Sequence, residues 1–366
     1  MKGKFLQALK DLEKEKGLDM EILLQAIEAA LISAYRKRFG SSQNVRVEIN
    51  RETGEIKVYS LKKVVEKVTD PRLEISLEEA RKLNANYELG DMVEEEVTPR
   101  DFGRIAAQTA KQVVMQRIRE AERDLLYEEY VSKENDIVTG TVQRVEGKNV
   151  FVDLGKAEGI LPPTEQVPGE TYRQGDRLKF YVVEVRKTSR GPLIKLSRTH
   201  PGLVKRLFEL EVPEIQEGIV EIKGVAREPG GRTKIAVHSR EEKVDPVGAC
   251  VGPKGTRVQA VVQELRGEKV DIIKWSEDPA VFVANALSPA RVLDVEILDE
   301  ENKVSRIIVP DNQLSLAIGR EGQNARLAAK LTGWKIDIKC ESEAEGWERW
   351  WNTEVPASKA DSRGEG

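Results

Sequence analysis

The chain has 366 residues, 39% of them hydrophobic, enough to core two to four domains. One third are charged, yet the formal net charge is only -4, so there is no global basic field and any nucleic-acid contact must use local patches and backbone dipoles. No signal peptide or apolar run of about 18 residues occurs, and the two cysteines, Cys250 and Cys340, lack metal or redox spacing; the chain is expected to be cytoplasmic, off the membrane and without cofactor or metal.

Two helices are predicted within residues 1–39. Phe5, Leu9 and Leu12 line the first; Leu23, Ile27, Ala30 and Ala34 line the second, with Asp19 as N-cap and Gly40 as stop. Alternating apolar residues then predict strands at 45–49, 56–58 and 64–68, with a turn at Thr53-Gly54. Ser76 and Glu79 form a capping box for a short helix, and 92–97 reads as another strand. This block is a mixed α+β domain. Thr98-Pro99 opens a long helix, with Asp101 near its positive end. The helix carries an apolar stripe of Phe102, Ile105, Ala106, Val113, Val114, Ile118, Ala121 and Leu125 and runs to about Tyr130. Its length suits a rigid spacer; the stripe is expected to pack on the preceding sheet, the alternative being a partner-binding face.

Residues 135–198 read as all β, with strands at 137–145, 149–154, 159–162, 177–185 and 193–197. Gly147, Gly155, Pro162-Pro163, Gly175-Asp176 and Gly191-Pro192 separate them. Five short strands in roughly 65 residues fit a small OB barrel. GTVQRV, VFVDLG, AEGILP and KLSR resemble the S1-type OB domain of ribosomal and RNA-degradation proteins, which implies an RNA-binding face near Phe151. Stacking platforms need aromatics; Phe151, Tyr172, Phe180 and Tyr181 are available, and at least half are expected in the core.

The strongest internal signal is a repeat. Residues 244–273 and 309–338 each read as a short apolar helix, a Gly-x-x-Gly loop, an amphipathic helix and a strand. The loops are Gly252-Pro253-Lys254-Gly255 and Gly319-Arg320-Glu321-Gly322, their first glycines 67 positions apart (319 − 252). A predicted helix and two strands precede each copy. Helix, two strands, two helices and a strand is the order of the type II KH fold. The first glycine is expected to be left-handed at a helix end. The second opens a helix whose free N–H groups and dipole attract a phosphate. A KH clamp of this kind grips about four nucleotides of single strand. Candidate RNA contacts are both loops with Arg257, Gln323, Asn324 and Arg326. Glu321 beside a phosphate should repel, so it points outward or sets the pitch of its loop. Only about three residues, 276–278, separate the modules, so little independent motion is expected.

Longer stretches are very similar to the NusA family of bacterial transcription termination and antitermination factors. They are SRTHPGLVKRLFELEVPEIQEGIVEIKGVAREPGGRTKIAVHS, DPVGACVGPKG, DPAVFVANALSPA and VPDNQLSLAIGREGQNARLAAKLTGWKIDIK. The resemblance covers about residues 1–340. It implies a multidomain α+β chain: an N-terminal α+β RNA polymerase-binding domain with linker helix (1–131), an S1-type OB barrel (132–200), two tandem type II KH domains (201–277 and 278–345) and a tail (346–366). It further implies a monomer that docks on RNA polymerase by the RNA exit channel. Nascent single-stranded RNA would bind the barrel and KH pair, other Nus-type antitermination factors would be partners, and pausing, termination and antitermination would be affected. Some family members continue into acidic C-terminal repeats. Here the tail carries Trp347, Trp350 and Trp351, which either staple to the second KH module or face a partner.

Catalysis finds no foothold. His200 and His238 stand 38 positions apart (238 − 200), no Gly-x-Ser-x-Gly elbow occurs, and the P-loop-like stretch 248–256 has its Lys254 before Gly255 rather than after it. The chain reads as a non-enzymatic factor bridging polymerase and RNA. The alternative is an accessory chain of RNA processing or degradation, for which residues 1–130 discriminate.

Overall fold

The computed structural model of the protein describes residues 6–7, 9–11, 13–14, 17, 19–39, 44–100 and 102–343. The features predicted at Phe5, Leu12, Gly40, Asp101 and the tail tryptophans Trp347, Trp350 and Trp351 lie outside these residues. The chain divides into two compact units, residues 1–128 and 129–366.

In the first unit, helix α1 (Met20–Phe39) starts where the Asp19 carboxylate accepts the N–H groups of Glu21 and Ile22 at 2.7 and 3.2 Å. Its buried face is Leu23, Leu24, Ile27, Leu31 and Tyr35; Ala30 and Ala34 are half-buried. Strand β1 (Val45–Ile49) turns Val45, Val47 and Ile49 toward that face. Strand β2 (Ile56–Val65) is one continuous ladder where two strands were expected. Its first half pairs with β1; its second half pairs in parallel with β3 (Glu74–Ser76), which leads into α2 (Leu77–Leu83). Strand β4 (Met92–Glu96) pairs with β2 antiparallel. The Ser76 hydroxyl accepts the Glu79 N–H at 3.3 Å, the predicted cap. Arg51 binds Glu21 at 2.7 Å while Glu28 accepts the Ile49 N–H at 2.9 Å, tying α1 to the β1–β2 hairpin.

Helix α3 (Phe102–Val131) begins later than its sequence signals suggest. The expected cap, Thr98, instead accepts the Val58 N–H at 3.0 Å and so closes the end of a strand. Phe102, Ala106 and Ala110 are buried with α1 and the β1–β2 pair, and Val113 and Val114 are half-buried. Farther along, Ile118 and Ala121 are half-buried and Leu125 is 64% exposed, so burial of the stripe falls off along the helix.

The second unit opens with β5 (Ile137–Glu146), β6 (Asn149–Asp153), β7 (Glu158–Leu161), β8 (Arg177–Thr188) and β9 (Gly191–Ser197). They close a barrel in the order β5-β6-β7-β9-β8. The β8–β9 hairpin runs past its expected end, since Lys187 pairs with Pro192 and Thr188 with Gly191. Pro192 is tolerated because it lies near the start of its strand.

Then follow α4 (Pro201–Glu211), the short α5 (Pro213–Gln216), β10 (Val220–Glu228), β11 (Arg232–Ser239), α6 (Pro246–Val251), α7 (Thr256–Glu264) and β12 (Lys269–Lys274). Strand β10 is antiparallel to β11, and β12 lies parallel to β11 on its other side. The order repeats with α8 (Pro279–Ala286), β13 (Asp294–Asp299), β14 (Val304–Val309), α9 (Leu314–Ile318), α10 (Gln323–Thr332) and β15 (Lys335–Cys340), with the same pairing senses. The predicted helix–strand–strand–helix–helix–strand module is therefore present twice.

The joints inside this unit are buried. Ala236 and Ile273 of the first module sit in one cluster with Phe282, Val283, Ile307 and Trp334 of the second, so the two modules share a core. Beside it the fully buried Lys234 donates to Asp271 at 3.1 Å and to the Ser288 carbonyl at 2.7 Å. Burial lowers the Lys234 pKa, which the Asp271 carboxylate partly opposes. Between barrel and first module, the Arg198 side chain is 1% exposed. It binds Glu170 through two nitrogens at 2.7 and 3.1 Å, the Lys179 and Glu264 carbonyls at 2.9 Å each, and the Glu264 carboxylate at 3.4 Å. All five guanidinium donors are thereby used.

Candidate nucleic-acid interface

The two Gly-x-x-Gly loops adopt one conformation. Gly252 and Gly319 both lie at φ 75°, ψ 172°; Lys254 and Glu321 lie at φ 53°, ψ 25° and φ 54°, ψ 26°; Gly255 and Gly322 at φ 77°, ψ 15° and φ 74°, ψ 14°. The first glycines thus differ from expectation. Their φ is positive, but ψ takes them out of the left-handed helical well into an extended mirror region essentially restricted to glycine. The left-handed helical residues are the third and fourth of each loop. For Lys254 and Glu321 that conformation costs about 1–2 kcal/mol apiece, a strain the flanking helices impose.

The two glycines of a loop do different jobs. A Cβ on Gly252 would lie 2.6 Å from Arg257 Cγ, and one on Gly319 would lie 2.8 Å from the Asn324 backbone nitrogen. The first glycine therefore lets the two helices of the motif close on each other. At Gly255 and Gly322 an added Cβ would meet nothing nearer than 3.9 Å. That face is open, and neither α7 nor α10 carries a side-chain cap at its N-terminus. An uncapped N-terminus behind an open glycine presents N–H groups and a positive dipole end to an anion. A sugar-phosphate strand can approach closely there, whereas a side chain would hold it off.

Pro253 and Lys254 are exposed at the first loop tip. In the second, the Arg320 and Glu321 side chains are 94% and 84% exposed and 3.9 Å apart, so Glu321 both points outward and holds the loop's left-handed step. Arg257 and Asn324 are turned inward. Arg257 binds the Ala249 carbonyl at 2.6 Å and Glu214 at 2.8 Å. Asn324, only 4% exposed, donates to the Ala317 and Leu287 carbonyls at 3.0 and 2.9 Å and to Leu316 at 3.4 Å. The two residues are equivalent by the 67-residue offset (324 − 257), and so are their acceptors Ala249 and Leu316 (316 − 249). Both brace the end of the preceding helix. Gln323 and Arg326 reach Glu228 at 2.9 and 2.6 Å, and Arg326 also donates to the Glu321 carbonyl at 3.1 Å.

On the barrel, Phe151 is half-buried with the Arg144 guanidinium 4.1 Å above its ring. Arg144 is in turn paired with Glu146 and Glu158. Phe180 and Tyr181 are core residues, and Tyr172 is half-buried. His200 caps α4 by accepting the Gly202 N–H at 3.0 Å and stacks on Tyr181 at 4.3 Å. Cys250 and Cys340 are buried, and burial pushes the Cys250 thiol up to about 12. Among the described residues no cluster of His, Cys, Asp and Glu could hold a metal, and no helix is long and apolar enough to cross a membrane.

Sequence reading missed the groups that position this interface: Arg198, Glu170, Glu264, Lys234, Asp271 and Glu228. Each looks like one surface charge among many in a chain that is 33% charged, and their partners lie far along the chain.

Comparison with known proteins places these parts in a family. Residues 4–124 match the NusA N-terminal domain, 132–197 the S1 RNA binding domain, 198–275 the NusA-like first KH domain and 279–346 the NusA-like second KH domain. The transcription termination/antitermination protein NusA of Halalkalibacterium halodurans is 63% identical over 345 residues, covering 94% of this chain and 90% of that protein. NusA of Bacillus subtilis is 62% identical, covering 94% and 92%. NusA of Thermus thermophilus is 46% identical, covering 93% and 90%. The chain belongs to the NusA family of transcription termination/antitermination proteins.

Proposed function

We propose that the chain is a non-enzymatic transcription termination/antitermination factor. It holds nascent single-stranded RNA on its barrel and KH pair, and it docks on RNA polymerase beside the exit channel through residues 1–131. The division into 1–131, 132–200, 201–277, 278–345 and 346–366 belongs to this reading. The observation that carries it is the pair of identically shaped, open glycine loops on two modules with a shared core. The binding set is Gly252, Pro253, Lys254, Gly255, Gly319, Arg320, Gly322, Gln323 and Arg326, with Glu321 shaping its loop. Arg257 and Asn324 act as braces, and Phe151 supports the Arg144 guanidinium, 4.1 Å over its ring, as a planar surface for a base.

Gel filtration of residues 1–131 with core RNA polymerase should show co-elution without RNA; if only the barrel–KH part co-elutes, the docking assignment is wrong. The purified full chain should neither hydrolyse nor phosphorolyse RNA or nucleotides. Turnover that survives purification but vanishes on mutating one histidine or carboxylate would contradict this.

A further inference from the structure

We propose that Glu228 is the positioning residue through which the first KH module fixes the second clamp. The inference rests on the two loops being RNA clamps. Glu228 ends β10, at the tip of the β10–β11 hairpin of the first module. Its carboxylate accepts from Gln323 Nε2 at 2.9 Å and from Arg326 Nε at 2.6 Å, two residues of the first turn of α10. Arg326 passes the contact on, donating to the carbonyl of Glu321 inside the second loop at 3.1 Å. One carboxylate of the first module thus reaches the backbone of the second clamp through a single side chain.

The tip that carries Glu228 is held from behind. Arg227 is paired with Glu268 at 2.8 and 2.9 Å, both side chains being at most 2% exposed, and it also donates to the His200 carbonyl at 3.0 Å. Glu268 accepts the Gly230 N–H at 2.8 Å as well. At Gly231 an added Cβ would lie 2.9 Å from Gln323 Nε2, so hairpin and helix are in close contact. Arg326 and Gln323 together hold the Glu228 carboxyl below its usual range, and it is ionised at neutral pH.

The first clamp has no such brace by its own sequence. The 67-residue offset maps Gln323 and Arg326 onto Thr256 and Gln259, and an uncharged glutamine cannot form the ion pair. The brace is therefore one-way, from the first module to the second clamp. Its purpose is register: two clamps grip one strand together only if their separation is fixed, because looseness lowers the effective concentration of the second site.

The test uses the full chain with two readouts. Spin labels on cysteines introduced by Pro253→Cys and Arg320→Cys report the loop-to-loop distance distribution without RNA. Anisotropy on single-stranded RNAs of about five and ten nucleotides reports the gain from occupying both clamps. E228A should broaden the distance distribution and remove at least about tenfold of the long-RNA gain, leaving short-RNA affinity within about twofold. E228Q keeps one acceptor oxygen but loses the ion pair, so its distribution should fall between those of the unmodified chain and E228A. E228D keeps the charge but withdraws the carboxylate, so it should broaden the distribution even if E228A folds poorly. An unchanged distribution in E228A and E228D would overturn the proposal. Tighter binding of both RNAs would overturn it too, making Glu228 a competitor that holds Arg326 off a phosphate. If the unmodified chain shows no long-RNA gain, the clamp reading itself fails, while the spin labels still judge the brace.

Discussion

Replacing Arg198 with alanine should destabilise residues 129–366 by about 3–5 kcal/mol, the usual cost of removing one partner from a buried ion pair. For a unit of this size that lowers the melting midpoint on the order of 10 °C. The physical reason is what stays behind. Glu170, whose side chain is 5% exposed, keeps a buried charge that Arg266 at 3.3 Å and the Tyr172 hydroxyl at 2.8 Å offset only in part, and the carbonyls of Lys179 and Glu264 lose the Arg198 donor. Because Arg198 joins the barrel to α7, the transition should also split, with the barrel melting apart from the KH pair. The double variant R198M/E170L removes both charges and should recover most of the loss. Scanning calorimetry of the full chain checks this. A loss under about 1 kcal/mol, or a single sharp transition in R198A, would contradict the joint as drawn.

Replacing Pro253-Lys254 with two aspartates should abolish the first clamp's grip without unfolding it. Both residues are exposed at the loop tip, so the substitutions remove a cation and place two carboxylates where a phosphate would lie. The short-RNA affinity of the second clamp should remain. The long-RNA advantage, about 10²-fold for two linked sites, should vanish. The same change at Arg320-Glu321 should spare the first clamp and remove the same advantage. Glu321 already presents one carboxylate at the second tip, so the repulsion added there is smaller, and the residual salt dependence of the two variants should differ accordingly.

The sequence made the modules legible because their signals are local. Glycine at 252, 255, 319 and 322 and the capping box of Ser76 and Glu79 each fix a few neighbouring residues. Ser76, for example, accepts the Glu79 N–H at 3.3 Å. Where a local signal had a distant competitor, the distant one won. Thr98 reads as a helix cap, but its hydroxyl serves Val58, forty positions earlier (98 − 58). Arg257 and Asn324 read as polar residues following a clamp. The close approach that Gly252 and Gly319 permit lets each bond the end of the preceding helix, which the sequence did not show. What could not be read was how the modules are fastened. Glu228, Lys234 and Arg198 bind groups 95, 54 and 66 positions away, and nothing in their neighbouring sequence distinguishes them from solvated charges.

The central claim is that the KH pair grips one RNA strand as a single platform, and a length series of single-stranded RNAs measured by fluorescence anisotropy at two salt concentrations tests it most directly. Each clamp takes about four nucleotides, so affinity should step up between roughly five and ten nucleotides, beyond what added phosphates alone contribute. The slope of log affinity against log salt should steepen in parallel by about 0.7 per extra phosphate neutralised. A smooth rise with length, or loop variants that each keep the full step, would mean that the modules bind independently and would contradict the account.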